Sequence, residues 1–223
     1  FIYALSYNIL IIFIALLLAL ALNSALAYKS TIFRTIYFLP VTISLAIVAI
    51  LFDLIYHRDI GLLNIILDIL GLPHGFDWFK DPKLALSSIV MIDIWRTAGY
   101  YAIILLAGLK AVPKEIIEAA KIDGANGWQV NVRVILPILR PIIAFVVFMS
   151  SIWSLQLFEV PWIVNKGGPV DSTLTLVQYL YQTSFNYSKL GYGAALSFVL
   201  TAILLVVASL QIRAFGITKE VSE

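Results

Sequence analysis

Two short rows of polar and aromatic side chains interrupt otherwise apolar stretches of this chain. Asp93, Thr97 and Tyr100 recur at i, i+4 and i+7, with Arg96 beside them, and Ser150, Trp153, Ser154 and Leu157 follow i, i+3, i+4 and i+7. On a helix each row shares one face. Hydroxyls and an indole on such a face suit a sugar, which takes hydrogen bonds on its edges and stacking on its flat apolar surface. Plain helix packing accounts for the same residues. Ser and Thr are common between membrane helices, and an Asp/Arg pair can neutralise itself. For Asp93 and Arg96 a substrate contact and a structural ion pair stand side by side.

Other chemistries find no residues to carry them. There is no Cys for thiol or disulfide work, and His57 and His74 stand apart in a loop with no cluster that suggests a metal. "NKGGPVDST" (165–173) is glycine-rich, but it lacks the GxxxxGK[ST] spacing that cradles nucleotide phosphates. The chain is therefore expected to be no enzyme and to hold no cofactor or metal, and no nucleic-acid partner is expected.

The elements that position these rows are set by composition. The chain is 61% hydrophobic and 13% charged, whereas soluble domains are nearer a quarter charged, so a bilayer is the expected solvent. Five stretches approach the roughly 20 residues that cross the hydrocarbon core. The expected fold is all-α and polytopic, a single transmembrane domain with spans at about 1–28, 35–56, 84–109, 137–164 and 190–213. Outer loops fall at 57–83 and 165–189. The first contains an apolar segment suited to an interfacial helix, and the second shows paired-glycine turn chemistry. The chain has no initiating Met and an odd span count, which fits a longer protein with six spans.

Orientation follows from the basic residues. Lys29, Arg34, Lys110, Lys114, Lys121, Arg133, Arg140, Arg213 and Lys219 fall on one side, against Arg58, Lys80, Lys83, Lys166 and Lys189 on the other. The positive-inside rule places the richer side in the cytoplasm of a cell-membrane protein.

The loop at 110–136 lies on that side. Pro113 suits a helix start, Glu115 and Glu118 sit where a helix N-terminus favours negative charge, and Gly124 after Asp123 is a natural left-handed stop. A second helix begins near residues 125–127 and runs to Leu136, where Pro137 starts the next element. Two short helices with a sharp turn result, with Ile116, Ile117 and Ala120 on one and Trp128, Val132 and Ile135 on the other. They read either as a helical linker or as a docking element for a soluble partner. In the second case Ala119, Ala120 and Gly124 allow close approach, and Glu118 and Asp123 are available to basic groups.

This stretch resembles the EAA motif of ABC-importer permeases: Glu118-Ala119-Ala120, three residues, Gly124, nine residues, then Val134-Ile135-Leu136-Pro137. Val134 stands where the motif has isoleucine. "FRTIYFLPVTIS", "GLLNIIL", "WFKDPKLA", "GGP" and "GYGAALS" are similar to the branch typified by the first permease of maltose and glycerol-phosphate importers. The resemblance implies a coupling helix (Glu115, Glu118, Ala119, Ala120, Asp123 and Gly124) that docks on a cytoplasmic ATPase. It implies a second permease, two ATPase copies that bind the ATP and Mg, an external solute-binding protein, surrounding membrane lipid and alternating access. By alignment with the maltose permease it also points to Thr97, Tyr100, Ser150, Trp153, Ser154 and Leu157 as sugar contacts, although that permease has asparagines at the last two. An ion-driven secondary transporter coupled through Asp93 and Arg96 is the alternative, and a non-transporting membrane scaffold is a third.

Overall fold

A computed structural model describes residues 1–23 and 30–216. Lys29 and Lys219, two of the basic residues used for orientation, lie outside them, as does the end of the first apolar run. Among the described residues the regular structure is helical, as expected for a chain whose backbone polar groups must be satisfied in lipid. Four stretches are long and apolar enough to cross a membrane: α1 (Ile2–Asn23), α5 (Ala85–Ala111), Arg140–Val164 and α12 (Leu190–Phe215).

The second expected span is broken. It consists of α2 (Ser30–Thr42) and α3 (Leu45–Ile55), bent by 97° at the break. Pro40 cannot donate a backbone hydrogen bond within the last turn of α2, and Ser44 is extended at φ −53°, ψ 134°. Arg140–Val164 is also interrupted. It divides into α9 (Arg140–Leu155) and α10 (Glu159–Val164), with Phe158 non-helical at φ −140° between them.

Contacts divide the chain into two compact units. The first comprises Phe1–Tyr7, Thr42–Trp95 and Ile152–Val206. It contains α4 (Leu62–Ile69), a short apolar helix in the loop where the sequence suited one. That helix is inside-out by aqueous standards. Its one buried residue is Asn64, while Leu62, Ile65, Ile66 and Ile69 are exposed, a pattern suited to lipid. Asn64 Nδ2 donates to the carbonyls of His57, Arg58 and Phe76 at 3.0–3.2 Å, and its Oδ1 accepts the Phe76 N–H at 3.2 Å. An aromatic cluster of Phe52, Tyr56, Phe76, Trp78, Phe79 and Trp95 closes around this clamp. Asn64→Leu keeps the size and orphans these groups, at about 1–3 kcal/mol for a buried unsatisfied group. A lowered midpoint of thermal unfolding is expected; an unchanged midpoint would show that the clamp does not hold the loop.

The loop at 165–189 opens on a left-handed turn. Lys166, Gly167, Gly168, Val170 and Asp171 all have positive φ. A Cβ on Gly168 would meet Thr173 Oγ1 at 2.6 Å and Asn165 Nδ2 at 2.8 Å, so only glycine fits between them. Asn165 accepts a hydrogen bond from Thr173 and donates to the Phe79 carbonyl. Beyond the turn, Thr175 caps the N-terminus of α11 (Leu176–Tyr181).

Among the described residues the second unit comprises 8–23, 30–41, 96–151 and 207–216. Gly99 of α5 lies directly on the Tyr37 backbone of α2, and Gly108 receives Leu139 and Ile142. Small residues at such crossings let membrane helices pack by close van der Waals contact. The unit also carries α6 (Lys114–Ile122), α7 (Gly127–Val130), a π-helical turn at Asn131–Ile135 and α8 (Leu136–Ile138).

Candidate functional site

Polar residues in an apolar helix must find partners, and those partners organise the two rows. In the first unit Asp93 is buried and accepts a hydrogen bond from the Tyr3 hydroxyl. Tyr3 stacks on Tyr7 with ring centroids 5.8 Å apart. Ser154 and Leu157, both buried, line a cavity of about 460 Å³ together with Tyr3, Ser172, Thr173 and Thr175. Leu157 reaches it from the break after α9 rather than from helical spacing. There its carbonyl accepts from Thr175 Oγ1 at 2.7 Å. Trp153 belongs to another surface: it is 43% exposed and does not line the cavity.

In the second unit Ser150 donates to Asn8 Oδ1 at 2.6 Å, Ser151 donates to the same oxygen at 3.3 Å, and Gln211 donates to Ser151 at 2.7 Å. Three helices are thereby joined through one hydrogen-bonded chain. Thr97 is buried, and Tyr100 is half-buried with its ring against Phe38 and Tyr101. Arg96 is half-buried, and among the described residues it makes no ion pair or hydrogen bond; its Nε is buried without a partner. Tyr3 and Asn8 were not singled out from sequence. The signal available was that Tyr3, Ser6, Tyr7 and Asn8 are the polar residues in the first two turns of an otherwise apolar helix.

The Asp93–Tyr3 contact carries a stability prediction. Leaving a buried donor or acceptor without its hydrogen-bond partner costs about 1–3 kcal/mol. Asp93→Ala is expected to lower the unfolding midpoint and the yield of monodisperse protein, whereas Asp93→Asn, which still accepts from a hydroxyl, should retain most of both. Equal losses in the two variants would show that the carboxylate matters through its charge and not through Tyr3.

The polar loop is built from local rules. α6 ends at Asp123 in a Schellman closure: Gly124 at φ +83° donates to the Lys121 carbonyl, and Ala125 donates to the Ala120 carbonyl, both at 3.0 Å. Two residues on, Asn126 and Gln129 form a reciprocal capping box with both bonds at 2.9 Å, which starts α7. A stop and a start within four residues make a stiff corner. Val130 and Ile135 are buried and hold the second arm, and Leu136 N–H bonds the Asn131 carbonyl in π register. The first arm has no buried residue at all. Glu115, Glu118, Ala119, Asp123 and Gly124 are exposed and Ala120 is half-buried, while Ile122 and Trp128 stand 85% and 75% exposed. Apolar surface is thus left uncovered beside acids along this loop.

Residues 2–215 match the family described as binding-protein-dependent transport system inner membrane component. The chain belongs to this family. The permease is 33% identical over 211 residues to the probable ABC transporter permease protein YurN of Bacillus subtilis, covering 94% of this chain and 72% of that protein. It is 36% identical over 210 residues to the arabinooligosaccharides transport system permease protein AraP of the same species, covering 93% of this chain and 67% of AraP. In fold it superposes on a chain of a bacterial alginate ABC transporter solved with an alginate pentasaccharide-bound periplasmic protein. The TM-score is 0.84 at 24% identity, covering 95% of this chain and 75% of that one.

Proposed function

We propose that this permease is the membrane-spanning subunit of an ATP-driven, binding-protein-dependent importer of a sugar or oligosaccharide. The reading rests above all on the stiff corner at 114–130, whose first arm has no fully buried residue against the described chain. A lever that passes on the closure of an ATPase needs a rigid element with different contacts in two states. A short helix ending in a Schellman turn meets the first requirement, and an uncovered face leaves room for the second. Glu115, Glu118, Ala119, Ala120, Asp123 and Gly124 form the surface that enters the ATPase. ATP and Mg belong to that partner, and this corner lies in the cytoplasm.

Sugar is the favoured cargo class. AraP is an arabinooligosaccharide permease, the similar LacF of Rhizobium radiobacter is a lactose permease, and the superposed transporter takes alginate. Substrate contacts are assigned to Asp93, Arg96, Thr97, Tyr100, Ser150, Trp153, Ser154 and Leu157. Ser154 and Leu157 do so through the cavity, and Arg96 through a guanidinium that has no partner in its own described chain. A second permease, two ATPase copies and an extracytoplasmic solute-binding protein complete the assembly.

Reconstitution of the assembled importer in proteoliposomes tests the reading. Uptake should require internal ATP and external binding protein, and should survive an ionophore. Uptake that continues without ATP and collapses with the ion gradient would instead identify a secondary transporter.

A further inference from the structure

We propose that the groove between the start of α9 and the end of α12 holds one anionic phospholipid of the cytoplasmic leaflet. The choice of leaflet rests on the orientation given under the proposed function. The groove has a volume of about 320 Å³ and is lined by Arg140, Ala144, Phe145, Phe148, Ile212 and Phe215, all within the second unit. Its one charged residue is basic, and no acid faces it. Arg140 is exposed, and among the described residues its one hydrogen bond runs from Nη2 to the Ala214 carbonyl at 3.5 Å. A guanidinium has five N–H donors, so most of its planar fork remains for a phosphate.

A second cation adds to the same field. Arg213, exposed in the last turn of α12, adds a second positive charge next to Ala214. An anion seated at Arg140 relieves this local excess.

The apolar floor distinguishes a lipid from a free anion. Arg140, Ala144 and Phe148 follow one another at four-residue steps along α9, a run of about 12 Å at 1.5 Å per residue. Ala144 is buried and Phe145 is 50% exposed, so the floor is a shallow trough with an aromatic wall. Inorganic phosphate would use the cation alone, whereas a phospholipid uses the cation for its headgroup and the trough for an acyl chain. Basic pockets between membrane helices at the cytoplasmic side take anionic headgroups by this combination.

Native mass spectrometry of the assembled importer in mild detergent, titrated with phosphatidylglycerol or phosphatidylethanolamine, tests the assignment. One phosphatidylglycerol per permease is expected to persist, and Arg140→Gln should weaken its retention about fivefold, with Arg140→Lys between the two. A photoreactive benzophenone amino acid placed at Phe145 should yield an adduct of phospholipid mass. Equal retention of both lipids, retention indifferent to Arg140→Gln, or an adduct to the second permease or to the chain's own C-terminal residues would each overturn the proposal. The same titration on the full-length permease without its ATPase reads the groove even if ATP-driven uptake fails, so the two readings fail separately.

Discussion

Replacement of Gly124 by valine is expected to abolish ATP-driven uptake while the permease still inserts and folds. The chain leaves α6 through Gly124 at φ +83°, and nothing lies within 4 Å of where a Cβ would stand. The loss would therefore come from the backbone and from the partner's cleft, not from crowding inside the permease. Left-handed φ costs a residue with a Cβ roughly 1–2 kcal/mol, most for β-branched side chains. If α6 unwinds by a turn instead, the exposed Glu118–Ala119–Ala120 surface loses its register. Asn tolerates this region, so uptake should fall in the order Gly, Asn, Ala, Val. Uptake and ATPase co-purification measured on the four proteins check the series. Full activity in Gly124→Val would show that the corner need not be stiff.

The largest effect on folding is expected at Gly99. A Cβ there would lie 1.9 Å from the Tyr37 carbonyl oxygen and 2.3 Å from its carbon. Both are backbone atoms, so relief requires α2 and α5 to separate and not merely a rotamer change. Overpacking of this kind costs typically 1–3 kcal/mol and sometimes more. Gly99→Ala should lower the midpoint in a heating and size-exclusion assay, and Gly99→Leu should leave no monodisperse protein. Gly191, in the first turn of α12 with open space at its Cβ position, is the control. Gly191→Ala should be neutral or slightly stabilising, since alanine is the better helix former. A tolerant Gly99 alongside an intolerant Gly191 would refute the close-packing account.

The two sites differ in how far they act. Gly124 sits in a corner whose turn and cap bonds join residues no more than five positions apart, and its effect is on coupling. Gly99 meets a residue 62 positions earlier in the chain, and its effect is on the existence of the bundle.

The same distinction separates what the sequence by itself determined from what only the tertiary structure decided. Apolar run length was sufficient to place α1, α5, α9–α10 and α12, because a backbone in lipid has no alternative to internal hydrogen bonding. Gly124 and Pro113 punctuate the polar loop through local backbone preferences, whereas the Asn126–Gln129 capping box that starts the second helix emerged only in the structure. The break at Ile43–Ser44 was not legible, since Pro40 permits a kink without dictating its angle. Nor were the partners of the buried polar groups: Tyr3 reaches Asp93 across 90 positions and Asn8 reaches Ser150 across 142. In water a polar face and an apolar face tell a helix which side is in. In a membrane helix both faces are apolar, so the pattern carries little information about which side meets protein. That is why helical spacing placed Ser154, Trp153 and Leu157 on one face, while the packed chain sends Trp153 to an exposed surface and carries Leu157 into the cavity past the end of its helix.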